Sequence, residues 1–313
     1  MSSLPPDLVA LAPLLPAEAV GTVTAIQPLP KGPSGSSVYA VTSDRGELIL
    51  RVQPAHRDAG EWAQQLRILR RAAAAGVAPA LVHVDDDRRA VVVARANGAP
   101  LPAALGDPAQ RTAALAGVAR QLSALHATSP DGIEVRDPLA FAHAQHEGQR
   151  GRPGFPDLAL TPVLEGIESA LATDGRRVVS HNDLNPGNVL WDGARAWLVD
   201  WEVAGLTHPF YDLATLAMFI QLDEPAALEL LGTQEGRALA PEEVVVFSAL
   251  RRLAALLCGL TFLSMVPDLA LLPAAPPTLT AFYADLRAGA ASLADPRGQG
   301  AFGLALLAVA TAG

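Results

Sequence analysis

"SHNDLNPGNVLWDGARAWLVDWE", residues 180–202, sets a dense run of polar side chains between two apolar segments. "RVVS" before it and "AWLVD" near its end are β-branched and apolar enough for buried strands, and the "WDGAR" between them carries an Asp-Gly turn signal. This reading puts His181, Asp183, Asn188 and Asp200 at strand ends, where polar groups converge without being buried in a sheet.

The chain around this stretch has 313 residues, half of them hydrophobic, enough for a sizeable core and a two-lobe or two-domain prior. Its formal charge is -9, from 32 acidic and 23 basic residues, with no Lys/Arg block to track phosphates, so nucleic acid is not an expected partner. The single Cys258 cannot form an internal disulfide; it reads as a small core residue and fits a cytoplasmic location. The start "MSSLPPDLVALAPLLP" lacks a basic segment and is broken by prolines, and the apolar run 253–266 is too short to span a bilayer, so membrane insertion is not expected.

Three strand-like pieces, "TVTAIQPL", "SVYAVTS" and "ELILRV", precede a helical pattern over 60–76, and two more strands follow around a "DDDRR" turn. That order predicts an antiparallel sheet with one helix against it. "ARANGAPLP", 94–102, then marks a change to helix-rich sequence. The expected division is an N-terminal lobe over 1–97, a hinge near 94–100, and a helical C-terminal lobe over 98–313. Helices are expected from Asp107 onward and over 156–173, 209–222, 241–265 and 278–294. The class is α+β, with two lobes in the manner of a protein kinase.

The spacing His181-x-Asp183-x-x-x-x-Asn188, with Asp200 closing the next strand, is that of a kinase catalytic loop and its metal-binding Asp. Phosphoryl transfer needs these types. Mg²⁺ takes hard oxygen ligands, which Asn188 and Asp200 supply beside nucleotide phosphates. A separate carboxylate, Asp183, is then left to orient the acceptor hydroxyl and take its proton.

"HNDLNPGNVL" followed by "LVDWEVAGLTHPFYDLA" resembles the aminoglycoside phosphotransferase and choline kinase superfamily, with the Asp-Trp-Glu at 200–202 on the choline and thiamine kinase side. The resemblance covers nearly the whole chain and is strongest over 178–217. It implies an ATP-dependent phosphotransferase with an alcohol acceptor, with Glu202 serving the metal region beside Asn188 and Asp200. "KGPSGSSVYAV", 31–41, resembles the nucleotide loop of the antibiotic kinases, bringing Ser34, Gly35 and Ser36 to the phosphates. Arg51 stands where the family carries a basic phosphate-contacting residue. The family's helix Glu falls in register on Gln65, while Glu61 lies one turn earlier on the same face and is the candidate partner of Arg51. Adenine is expected beside the strand leading into the hinge, on backbone groups of Ala94 and Ala96.

Other residues take plainer readings. His181 holds the loop through backbone bonds, and Asp212 anchors the same loop by resemblance. Trp191, Trp197 and Trp201 pack. His143 and His146, at i, i+3, lie on a solvated helix face and not in a metal site. The acceptor is expected to be a small, cationic alcohol of the choline, ethanolamine or thiamine kind. The grounds are Asp-Trp-Glu, the overall acidity, and the acids Asp223, Glu224, Glu242 and Glu243. An aromatic cage would have to come from Phe247, Phe262, Phe282, Tyr283 and Phe302. The competing readings are an antibiotic O-phosphotransferase and a non-catalytic nucleotide-binding regulator. A kinase of protein substrates is disfavoured, because the stretch after Glu202 leaves no room for a long activation segment.

Overall fold

The computed structural model describes residues 10–30, 35–54 and 56–312. The chain divides into two compact units, one of residues up to 134 together with 187–205, the other of 135–186 and 206–313.

The first unit is built on a five-stranded sheet of order β1-β2-β3-β5-β4, antiparallel at every pairing. Its strands are β1 (Val23–Pro28), β2 (Ser37–Ser43), β3 (Gly46–Val52), β4 (Leu81–Asp85) and β5 (Ala90–Ala94). Alternation along β3 separates two faces. Leu48, Leu50, Val41 and Val92 join one core with Leu14, Leu15 and Val20 from the short helical turns Ala12–Leu14 and α1 (Ala17–Val20). Ile49 and Arg51, with their cross-strand neighbours Val93 and Val91, line a cleft on the other face. Helix α2 (Ala59–Ala74) borders that cleft through Gln65 and Leu69. Asp58 caps it, accepting from the N–H groups of Gly60 and Glu61 at 2.7 and 3.1 Å.

The quoted stretch forms the expected hairpin, β8 (Val189–Trp191) against β9 (Ala196–Leu198), and Asp192 Oδ1 closes its turn by accepting from Ala194 and Arg195 N–H. A third strand, β6 (Ala99–Pro100), pairs with β8. Gly98, at φ 153°, makes that approach possible: a Cβ there would lie 2.8 Å from the Trp191 carbonyl oxygen. This pairing ties the hairpin, and helices α3 (Leu101–Leu105) and α4 (Pro108–His126), to the sheet-bearing unit. The compact division therefore falls later in the chain than the expected boundary at 97/98. Trp191 is buried, with its ring against Gly117 of α4.

The second unit holds the two-stranded sheet of β7 (Val178–Ser180) and β10 (Gly205–Thr207) and seven helices among the described residues. These are α5 (Pro138–Gln149), α6 (Leu160–Leu171), α7 (Tyr211–Phe219), α8 (Glu224–Glu235), α9 (Pro241–Met265), α10 (Leu279–Arg287) and α11 (Pro296–Thr311). By length and composition α9 alone among the described helices is apolar enough to cross a membrane. It is a core helix here: Leu253, Ala254, Leu256 and Leu260 are fully buried, and Gly259 meets Gly303 of α11 so closely that a Cβ would clash.

His146 is buried, in ring contact with Phe155, and so departs from the solvated helix face expected for it; burial pushes its pKa down. Among the described residues no group of three His, Cys, Asp or Glu is placed to hold a metal. Three of the four acids expected to favour a cation have structural partners: Asp223 caps α8, Glu224 accepts from Ser248, and Glu243 pairs with Arg237 and Arg176, while Glu242 is exposed on the first turn of α9. Four of the five cage candidates do gather. Their rings pack against one another, Phe282 stacked on Phe302 at 4.9 Å and Phe262 edge-on to Phe302 at 4.8 Å, with Phe282 and Phe302 buried and Phe262 and Tyr283 half-buried, rather than as an open box.

His208, after β10, is also buried. Its Nδ1 accepts from Phe210 N–H at 3.1 Å, and its Nε2 lies 3.0 Å from Asp174 Oδ2. Burial pushes its pKa down, more than Asp174 pulls it up, with Arg176 and Arg177 adding to the fall. The folded state thus resists a proton that the unfolded chain accepts near pH 6.5, so stability falls as pH drops below that value. Asp174, held far down chiefly by Arg176, keeps its contribution until much lower pH. We expect the melting temperature to fall between pH 7 and pH 5, and His208→Gln to flatten that slope. Parallel melting curves for the two proteins would count against this.

Candidate active site

The catalytic-loop candidates sit at the end of β7. The buried Asp212, at the start of α7, accepts the backbone N–H of His181 at 2.8 Å and of Asn182 at 2.7 Å. Burial pushes the Asp212 carboxyl up, and His181 and the two N–H donors offset part of that. Asn182 takes a left-handed conformation, φ 65°, which turns the chain toward Asp183. His181 is fully buried, and its Nδ1 accepts the Asp183 N–H at 3.4 Å. Asp183 is half-buried, and its Oδ1 accepts from Asn185 Nδ2 at 3.1 Å. Burial, reinforced by the Asp183 carboxylate, pushes the Cys258 thiol up to about 12, so this Cys is inert at neutral pH.

The nucleotide-side candidates converge in the sheet-bearing unit. A cleft of about 410 Å³ is lined by Val38, Ile49 and Val91 of the sheet, Ala94 to Ala96 and Gly98 of the hinge, and Asn188, Asp200 and Trp201 of the hairpin. That size and mostly apolar lining suit a nucleotide base. The Ala94 N–H donates to Ala80 O at 2.8 Å and the Arg95 N–H to Glu47 O at 2.9 Å, so these two donors belong to the sheet. Ala96 lies just past them, at the cleft wall.

Arg51 reaches from β3 to the end of the hairpin. Its Nη1 lies 2.9 Å from Asp200 Oδ1, and its Nη2 donates to Glu202 Oε1. Asp200 stands at φ 70°, a conformation that costs a non-glycine residue energy and here aims its carboxylate at the cleft cation. Glu202 is buried and carries two more donors, Ser36 Oγ to Oε1 at 2.6 Å and Arg57 Nη2 to Oε2 at 2.6 Å. Burial pushes the Glu202 carboxyl up, but Ser36, Arg51 and Arg57 together outweigh it and hold it below its usual value.

Of the expected site residues, Gly35, Ser36, Arg51, Asn188, Asp200 and Glu202 thus gather in one compact unit, while Ser34 lies outside the described residues. Glu61 does not pair with Arg51: it is exposed on the first turn of α2. Gln65 lines the cleft instead, with its Oε1 accepting from Gln53 Nε2. Arg57 escapes the sequence reading. It lies in a loop with no motif, and only its partner, 145 positions away, reveals it.

Asn188 and Asp200 suit Mg²⁺, as hard oxygen donors beside a cleft cation. Glu202 fits less well, because both of its oxygens already accept from protein donors.

A family model described as the phosphotransferase enzyme family matches residues 25–244, more than half of the chain. The chain belongs to this family, which bears out the superfamily, the kinase-like fold and the enzyme class expected from its motifs. Protein LicA of Haemophilus influenzae is 43% identical over 53 residues, 17% of this chain; the match spans about a fifth (20%) of that relative's length. A choline/ethanolamine kinase family protein from Mesorhizobium loti superposes with TM-score 0.70 at 22% identity, covering 96% of this chain and 98% of the other. The choline kinase LicA from Streptococcus pneumoniae gives 0.58 at 16% identity, covering 82% and 88%. A macrolide 2'-phosphotransferase from Brachybacterium faecium gives 0.55 at 22% identity, covering 83% and 93%.

Proposed function

We propose that this protein is an ATP-dependent kinase of a small alcohol bearing a positive charge, of the choline, ethanolamine or thiamine kind, working in the cytoplasm. The observation that carries the nucleotide half is the cleft in which Arg51, Asn188 and Asp200 meet beside the hinge strand. The base lies against Val38, Val91 and Ala96, and Arg51 meets the phosphates with a forked guanidinium. Asn188 and Asp200 hold Mg²⁺, which when bound neutralises charge on the transferring phosphoryl group. Asp183 orients the acceptor hydroxyl and takes its proton as the bond to phosphorus forms.

The choice of acceptor rests on Asp200-Trp201-Glu202 and on the likeness to a choline/ethanolamine kinase family protein. Three of the four acids of the helical region lend it no support, since Asp223, Glu224 and Glu243 serve helix caps, a hydroxyl and arginines, and of the four only Glu242 is exposed without such a role. The test is ADP release with Mg²⁺ and ATP against choline, ethanolamine, thiamine, homoserine, an aminoglycoside and a macrolide. Turnover of a cationic alcohol, with a KM that rises with ionic strength, is the expected result. Turnover of the macrolide or the neutral alcohols alone would overturn the acceptor and leave the kinase standing.

A further inference from the structure

Glu202 is the most heavily engaged carboxylate of the site. It accepts from Ser36 at the phosphate-loop end of β2, from Arg51 of β3 and from Arg57 of the loop before α2, so it joins three segments of the sheet-bearing unit to the hairpin. Kinase-like sites fix the strand cation with a helix carboxylate. Here Gln65 occupies that helix register, tied to Gln53, and cannot form an ion pair. The cation's anchor has moved from the helix to the hairpin.

We infer that Glu202 is a positioning residue and not a metal ligand: it holds Arg51, Arg57 and the Ser36 loop in place for the nucleotide phosphates, and Arg57 is a second phosphate-binding cation. The inference rests on the nucleotide-binding reading above. Geometry supports it in two ways. Both Glu202 oxygens accept from protein donors, whereas for Asp200 only Oδ1 lies against Arg51. The two arginines also approach Glu202 through opposite oxygens, Nη2 of Arg51 at Oε1 and Nη2 of Arg57 at Oε2; Nη1 of Arg51 lies on Asp200, while Nε and Nη1 of Arg57 are left to turn toward an anion.

The roles separate in calorimetry of ADP binding to the full-length protein, once in EDTA and once across a Mg²⁺ titration. Glu202→Gln is expected to weaken metal-free ADP binding about tenfold while the Mg²⁺ concentration at half-effect stays within about twofold. Arg57→Ala should weaken metal-free ADP binding as well, and the double variant should lose less than the sum of the two single losses, since the variants share the Arg57–Glu202 contact while Glu202 also holds Arg51 and Ser36. Asp200→Asn should show the reverse pattern, a raised Mg²⁺ requirement. Ser36→Ala, which removes one hydroxyl, tests the loop contact should Glu202→Gln fail to fold, and it should weaken metal-free binding in the same sense. A raised Mg²⁺ requirement with unchanged metal-free affinity in Glu202→Gln, or normal metal-free affinity in Arg57→Ala, would overturn the inference. Failure of the unaltered protein to bind ADP would instead overturn the kinase reading itself.

Discussion

Asp183→Asn should leave ADP affinity within about twofold of the unaltered protein and lower kcat by about 10²- to 10⁴-fold, the range a positioned general base supplies. The amide is nearly isosteric, so the loop built by His181 and Asp212 keeps its shape. Its oxygen still accepts from Asn185. What disappears is the negative charge that aligns and deprotonates the acceptor hydroxyl. The groups proposed to meet the nucleotide, Arg51, Asp200 and the hinge strand, keep their charges and contacts in this variant. Steady-state kinetics with the acceptor found in the panel, paired with calorimetry of ADP, checks both halves. An equal loss of nucleotide affinity would mean that Asp183 serves the phosphates and not the acceptor.

The division between what the sequence discloses and what it hides follows the range of the interactions. The hairpin at 189–198 is legible because its signals are local: β-branched residues on either side of Asp192-Gly193, with Asp192 closing its own turn. Helix α9 is legible from end to end because Pro241 starts it and an unbroken apolar stripe carries it to Met265. The spacing from His181 to Asn188 is likewise local, so the loop residues stand out by their order along the chain alone. The second layer of the site is not local. Arg51 and Glu202 are 151 positions apart, and neither carries a mark of the other. Helix periodicity therefore points to Glu61, although the buried carboxylate that receives Arg51 comes from the hairpin. The cover on the outer face of the sheet is hidden for a related reason. Prolines break the pattern of residues 12–20, and only packing shows that Leu14, Leu15 and Val20 complete a core with Leu50 and Val92. Charge composition misleads most. Asp223, Glu224 and Glu243 look like a field for a cation in sequence, yet each is consumed by a cap, a hydroxyl or an arginine.

Asp212→Ala is expected to be the most damaging single change to the fold around the catalytic loop. Its carboxylate is fully buried and serves two consecutive backbone donors, His181 N–H and Asn182 N–H, neither of which a neighbouring strand can take over, since β7 ends at Ser180. Leaving a buried donor without an acceptor costs about 1–3 kcal/mol, so two cost roughly 2–6 kcal/mol, a large share of the 5–15 kcal/mol typical of a folded domain. At about 2–4 °C per kcal/mol for a domain of 150–250 residues, the melting temperature should fall by roughly 4–24 °C. The loop also loses the force that holds Asn182 at φ 65°, so Asp183 swings out of register and kcat falls even in the fraction that stays folded. Asp212→Asn separates the two effects. Its carbonyl oxygen can still accept from one of the two N–H groups, while its amide meets the other as donor against donor, so about half of the stability loss should return and kcat should recover less. Calorimetric melting of both variants, with kcat measured well below their melting temperatures, gives the comparison. A melting temperature for Asp212→Ala within about 1 °C of the unaltered protein would show that the loop holds its shape without this carboxylate, and the positioning of Asp183 would then fall to other contacts of the loop, those with His181 and Asn185 among them.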